Sequence, residues 1–339
     1  MAQVHMNIVV TTKRITEANA VTHGGVFHAD EVMATAILAL LQPLTVCRTF
    51  SVPEDLNPET LVYDIGRGMY DHHQRGGNGA RPNGVRYAAC GLIWRAFGPQ
   101  VIQAAAPALD GAARESVWLG LDHGLMEEID AADNGELPAS GALGTRTGIS
   151  SLISAFNPAW DSQEDSDASF LRAVETAGTV LCNAVDNAVS LENARQLVTE
   201  AIDAAREGIL ILPCFAPWRG FLEASSNPRA KEILFVVFPS VRGGYSCQCV
   251  PKEGDGFSQR KPLPTAWRGQ PRERLRELTG VKTAEFCHPA GFICGAETLE
   301  DTLALARLAA ETKEAAAIEA AGTKEKADTG KGNATPDAN

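Results

Sequence analysis

Imidazole and carboxylate side chains crowd the first 75 residues of this chain in three groups. The first is His23-Gly-Gly-Val-Phe-His28-Ala-Asp30, the second the aspartate of Leu-Val-Tyr-Asp64-Ile-Gly, and the third Asp71-His72-His73. Four of the seven histidines, at 23, 28, 72 and 73, fall in these motifs rather than inside apolar periodic runs. A lone His beside an Asp is ordinarily a surface pair or a satisfied core pair. Clustering argues for ligands instead. Nitrogen and oxygen donors together suit divalent transition ions such as Mn²⁺, with Mg²⁺ as the harder alternative, and several carboxylates allow one oxygen to bridge two ions. The chemistry implied is a dinuclear phosphoesterase centre.

The elements around these residues follow from patterning. Residues 20–23 read as a strand end and 30–41 as a helix rich in Ala, Leu and Ile. Residues 44–51 and 61–64 read as further strands, each followed by Pro or Gly. Strands alternating with helices predict a parallel sheet, whose functional residues collect at the strands' carboxyl ends, where His23, Asp64 and the Asp71 cluster fall. A Gly/Pro-rich loop at 75–84 leads to helices at 88–97 and 112–130, and 162–207 is helical by composition. The β-branched runs 208–212, 233–238 and 245–250 mark a second, smaller sheet. A terminal helix is expected over 297–321, followed by a polar tail with the composition of disorder. The fold class is therefore α/β: an N-terminal parallel sheet flanked by helices, with a smaller C-terminal α+β domain. The expected boundaries are 1–19 extension, 20–160 metal-binding catalytic domain, 161–207 helical connector, 208–321 substrate-binding domain and 322–339 disordered tail.

At 339 residues and 45% hydrophobic content the chain can build two cores. Its longest apolar stretch, 32–41, has about 10 residues against the roughly 20 that span a bilayer, so no membrane association is expected. Residues 1–20 lack the apolar core of a secretory signal. The eight cysteines form no CxxC pair and sit mostly among apolar neighbours, as reduced thiols of a cytoplasmic protein do. Cys247, Cys249, Cys287 and His288 form the weaker case of a zinc set, because a CxC on a strand points both thiols to one face.

A net charge of −12 opposes nucleic-acid binding at first sight. Its distribution softens that, since ten acidic residues and three arginines lie between Ala159 and Glu207. Arg67, Arg75, Arg81, Arg86 and Arg95 surround the Asp71 cluster, and a second basic stretch includes Arg260, Arg268 and Arg272. Local potential decides whether a polyanion is accepted.

Taken in order, HGGVFHADE, VYDIG, YDHHQRGG and IDAADNG resemble the four metal-binding motifs of the DHH phosphoesterase superfamily. The later motifs NPAW (157–160), QCVPKE (248–253), LPTAWRG (263–269) and HPAGFICG (288–295) narrow the resemblance to its melanocyte-proliferating-gene exonuclease family, over residues 20–310. Separated motifs in order are far more specific than one tripeptide. The resemblance implies two divalent ions held by His28, Asp30, Asp64 and His72, with His23 as a further ligand and Asp64 bridging. Asp71 would orient His72, while His73 and Arg75 would face the phosphate. The fourth-motif ligand stays open among Asp122, Asp130 and Asp133, with Asp133 in Asp-Asn-Gly the best match. The loop between Asp64 and Asp71 is shorter than in eukaryotic members of the family.

In the C-terminal part, His288, Gly291 and Gly295 correspond to a glycine-rich substrate-holding motif, and Arg260 and Arg268 would add charge. Trp267 is either a stacking face or a core aromatic. The activity implied is that of a 3′–5′ exonuclease or oligonucleotidase on RNA or single-stranded DNA, with a homo-oligomer compatible with it. The alternative enzyme is a small-molecule phosphohydrolase cleaving pyrophosphate or a dinucleotide, which the acidic net charge favours. A scaffold whose metals only stabilise the fold is the reading from outside enzymology.

Overall fold

The short apolar segments of the first half can bury both faces only if helices cover them, which is the arrangement of a parallel sheet. A computed structural model of the chain describes residues 10–137, 148–254 and 258–312. The tail expected at 322–339 lies outside them. Two compact units are present, 1–193 and 194–339.

In the first unit β1 (Val10–Thr12), β2 (Ala20–His23), β3 (Leu44–Thr49) and β4 (Leu61–Val62) form a wholly parallel sheet in the order β1-β3-β2-β4. The strand β1 belongs to the stretch read from sequence as an extension. Between β2 and β3 runs α1 (Ala29–Ala39), buried along its whole length. Its Ala-rich sequence, ADEVMATAILA, lets neighbouring backbones approach from every side.

The helix α2 (Ala89–Ala105) passes through Pro99, where the sequence suggested a stop after Phe97. Proline costs one hydrogen bond, but Trp94 and Trp118 each donate Nε1–H to the other's carbonyl at 3.2 Å across this point. A Cβ on Gly98 would stand 2.7–2.9 Å from both indoles, so the Gly-Pro pair is where the two tryptophans fit. The next helix, α3 (Gly111–Leu121), is capped by Asp110, which accepts from Ala113 N–H. One π-turn, Asp122–Met126, then joins it to α4 (Glu127–Asp133). Inserted π-turns re-aim the residues after them and are frequent at functional sites. After α5 (Ile149–Ser154), α6 (Ser166–Ala204) supplies Phe170, Val174, Leu181 and Val185 to the first core.

In the second unit β5 (Ile209–Ile211) is followed by α7 (Trp218–Glu223) and α8 (Arg229–Glu232). The strands β6 (Phe235–Pro239) and β7 (Tyr245–Cys249), helix α9 (Arg272–Thr279), strands β8 (Ala284–Cys287) and β9 (Ile293–Ala296), and helix α10 (Leu299–Glu311) complete it. The mixed sheet has the order β5-β6-β7-β9-β8, parallel only between β5 and β6. The layout is thus the expected α/β one with a second sheet. The last two strands were not expected, because AEFC and ICGA are only four residues long each and the second, with Gly295 inside it, overlaps the His288 motif. No helix among the described residues is long and apolar enough to cross a membrane.

Candidate metal centre

The sheet delivers the first candidate ligands by register. His23 ends β2 opposite Thr49, and Gly24 N–H continues the ladder to Thr49 O at 2.7 Å. The chain then turns through Gly25 (φ +88°) to His28, the N-cap of α1. In the first turn of that helix Glu31 accepts the backbone N–H of His28 at 2.8 and 2.9 Å, the reaching-back half of a capping box. Asp30 and Glu31 therefore stand where the helix end favours anions. Sequence reasoning missed Glu31; the signal was its place three residues after a cap.

Asp64 follows β4 with φ +57°, left-handed for a residue with a side chain. Such a conformation costs on the order of 1–3 kcal/mol and clusters at functional sites. It is held because Asp64 N–H donates to Tyr70 O at 3.0 Å, closing the loop that leads to Asp71.

These side chains converge. His23 Nε2 lies 2.8 Å from Glu31 Oε1 and 3.2 Å from Asp64 Oδ2, while His72 Nδ1 and His73 Nδ1 each lie 3.4 Å from Asp64 Oδ1. His72 Nε2 is 2.9 Å from Asp133 Oδ2, and His28 Nδ1 is 4.0 Å from Asp133 Oδ1. Donor atoms fall into four interlocking groups, each within 4.8 Å: Asp64, Asp71, His72 and His73; His23, His28 and Glu31; His28, Asp30 and Asp133; and Asp30, Glu31 and Asp64. Asp71 sits elsewhere than expected. Its Oδ1 accepts from His73 N–H at 2.8 Å and lies 3.0 Å from His73 Nδ1, and its Oδ2 accepts from Arg67 N–H at 2.6 Å. It orients His73, whereas His72 is held by Asp133 and Asp64.

Asp30, Glu31 and Asp64 are buried, yet both carboxylate oxygens of Asp64 and Oδ1 of Asp30 make no aligned hydrogen bond, nor does His72 Nδ1. The imidazoles approach Asp64 closely but out of line. Buried polar atoms left unpaired cost about 1–3 kcal/mol each, more when charged. Burial, then the charges of Asp64, Glu31 and Asp133, hold the Asp30 carboxyl well above the usual range. Burial raises Asp64 too, against the pull of His23. For His23, burial opposes the charged ring but Asp64 and Glu31 outweigh it, and the imidazole is pushed up to about 11. His72 is raised on the same balance, with Asp133 the main opponent of burial. This is the electrostatics of a donor set short of positive charge, and divalent cations fit it.

The three candidate fourth-motif aspartates separate cleanly. The buried guanidinium of Arg81 takes Asp122 with Nε and Nη2 at 2.8 and 2.7 Å and Asp130 with Nη1 at 2.8 Å, and Gly91 N–H donates to Asp130 at 2.9 Å. Asp133 alone of the three contacts histidines of the cluster. His23, Val26, His28, Asp64, Arg67 and His73 line an open cleft of about 490 Å³ over the centre. Arg75 is exposed and outside that lining.

A model of the MYG1 exonuclease family, described as an uncharacterised protein family (UPF0160), matches residues 19–310. The chain belongs to the MYG1 exonuclease family. It is 32% identical to the human MYG1 exonuclease over 321 residues, covering 84% of each chain. To a MYG1 protein of Schizosaccharomyces pombe it is 33% identical over 311 residues, 85% of this chain and 96% of that one. The bovine MYG1 exonuclease is 33% identical over 84% of this chain and 83% of its own length. No solved structure matches.

In this MYG1-family chain the second unit treats its expected substrate residues unevenly. Arg260 donates Nη1 to Ala230 O and Ile233 O at 2.6 and 3.0 Å, and Arg268 donates Nε and Nη2 to Leu263 O at 3.0 and 2.7 Å. Both guanidinia thus brace loops. Gly291 (φ +71°) leaves room for Arg268, whose Nε would stand 2.4 Å from a Cβ there. Gly295 in β9 lets Tyr245 O and the Phe286 ring close in. His288 is exposed and accepts Ala290 N–H at 3.1 Å. Trp267 is buried in the second core, as are Cys247, Cys249 and Cys287, so the indole offers no open face there. Among the described residues no ligand grouping includes a cysteine.

Proposed function

We propose that the chain is a metal-dependent phosphodiesterase that removes nucleotides from the 3′ end of RNA or single-stranded DNA. The observation that carries this is the buried Asp64 carboxylate, approached by three imidazoles with neither oxygen satisfied. His23, His28, Asp30, Asp64, His72 and Asp133 would hold two divalent ions, Asp64 being shared, and the mixture of imidazole and carboxylate favours Mn²⁺. Ions held there supply Lewis acidity toward phosphoryl oxygens and a water acidic enough to attack at neutral pH. The protein's own part is placement. Asp71 fixes Nδ1 of His73, leaving Nε2 to a phosphate oxygen, and Arg67 at the cleft wall adds positive charge in place of the expected Arg75. Glu31 holds both His23 and the start of α1, so the first-motif ligands keep one geometry. In the second unit, the exposed His288 is the expected substrate group that keeps an open side. The eight free thiols suit a reducing compartment such as the cytoplasm.

The net charge of −12 favours the second reading, hydrolysis of pyrophosphate or a dinucleotide. The test is purified protein with 3′- and 5′-blocked RNA and DNA oligomers and with pyrophosphate, under Mn²⁺, Mg²⁺ and chelator. Mononucleotides released from unblocked 3′ ends in Mn²⁺ support the proposal. Orthophosphate from pyrophosphate alone replaces it with the second reading.

A further inference from the structure

Phe50 lies against Gly24 and Gly25, on the loop that joins His23 to His28, and belongs to none of the ligand groupings. It follows Thr49, the register partner of His23, so both residues leave the sheet at the carboxyl ends of neighbouring parallel strands. The tip of the ring rests on the backbone of Gly24 and Gly25, the two residues after His23. A Cβ on either glycine would lie 3.3–3.5 Å from ring carbons, and Gly25 needs its positive φ as well. Phe50 is nevertheless 84% exposed, and Val26, which lines the cleft, is 66% exposed. Single exposed apolar residues are ordinary on a protein surface. Here Val26 belongs to the loop that carries His23 and His28, the Phe50 ring lies against the same loop from the end of β3, and the paired glycines support the ring without covering it.

We propose that Phe50, backed by Gly24 and Gly25 and flanked by Val26, is a stacking platform for the nucleobase of the nucleotide whose phosphate enters the metal centre. An exposed aromatic ring near a phosphate site lets a protein tell a nucleotide from a bare phosphate ester. Stacking tolerates every base because each has a π-face, so the platform grips without reading sequence. The proposal rests on the phosphodiesterase reading and adds which part of the substrate, other than its phosphate, this unit recognises.

The experiment measures binding rather than turnover, so that the two readings fail separately. Full-length protein supplemented with Mn²⁺ is titrated with adenosine 5′-monophosphate and with ribose 5-phosphate, which lacks the base. The unaltered protein is expected to bind the nucleotide about tenfold tighter. Phe50→Ala should erase that preference while leaving ribose 5-phosphate affinity unchanged, and Phe50→Trp should restore it. Equal affinity for the two ligands in the unaltered protein overturns the platform, as does a preference that survives Phe50→Ala. A variant that shifts a monomer–dimer equilibrium with the preference intact also overturns it and assigns the ring to contact between copies. If the preference depends on Phe50 but oligonucleotides are not cut, the exonuclease reading fails and the platform stands.

Discussion

Asp133 Oδ2 stands 2.9 Å from Nε2 of His72, a contact that sets it apart from Asp122 and Asp130, which Arg81 holds. His72 pulls Asp133 below the usual carboxylate range against its burial, while Asp30, a member of the same ligand grouping, is pushed the other way. The centre is balanced for charge at one edge and overloaded with carboxylate at the other.

Neutralising the overloaded edge should therefore help the metal-free fold and harm the loaded one. Asp30→Asn is expected to raise the chelator-treated protein's stability by about 1 kcal/mol, since a buried carboxylate without a cation is costly. The same change should lower Mn²⁺ affinity at least tenfold. Denaturant melts with and without Mn²⁺ read both, and a metal-free protein weakened by the change would contradict the charge argument.

Metal uptake should release protons. His23, held up to about 11 by Asp64 and Glu31 against burial, carries its proton at neutral pH in the metal-free protein, and an ion takes only the neutral ring. Affinity is thus lost as pH falls below that value. Between about pH 6 and about pH 8 the Mn²⁺ dissociation constant should tighten about tenfold per pH unit for each proton displaced. Calorimetry in buffers of different ionisation heat counts those protons, and a pH-independent affinity would refute the assignment of His23 as a ligand.

Glu31→Gln keeps the size and an acceptor oxygen for His28 N–H but removes the charge facing His23. The expected result is a 10- to 100-fold loss of metal affinity, the usual scale for a group that fixes a ligand. Far-ultraviolet dichroism should stay unchanged.

Arg81→Met tests the brace behind the centre. Removing a buried guanidinium shared by Asp122 and Asp130 strands two carboxylates and should cost about 3–5 kcal/mol. Urea denaturation measures it. Arg81→Met combined with Asp122→Asn and Asp130→Asn should recover part of the loss, because the stranded charges go with the arginine.

The sequence shows the clustered histidines and aspartates more readily than what holds them. Histidines and aspartates at strand ends betray themselves by type, and the sheet that gathers them follows from short apolar runs alternating with helices. Glu31 escaped because a glutamate in the first turn of a helix has a sufficient explanation in capping. Asp71 was assigned to the wrong histidine, since a tripeptide does not say which ring bends back to the carboxylate. Arg75 and Arg67 both border the cluster in sequence, but only the turn at Gly66 decides which reaches the cleft. Phe50 carries no signal of its own, as an apolar residue after a strand is expected to be covered, and the glycines its ring lies against belong to another loop. Pro99 misled because the helix is held across it by the packing of Trp94 against Trp118, which is remote in sequence.

The left-handed backbone at Asp64 bears on how the enzyme can be silenced without being broken. Asparagine is among the few side-chained residues at home in that conformation, so Asp64→Asn discards the carboxylate charge while respecting the turn. Alanine there would strain the loop and blur loss of function with loss of shape. An inert protein that still captures its natural partners from a cell extract, for sequencing of whatever nucleic acid it retains, is best built on that one amide.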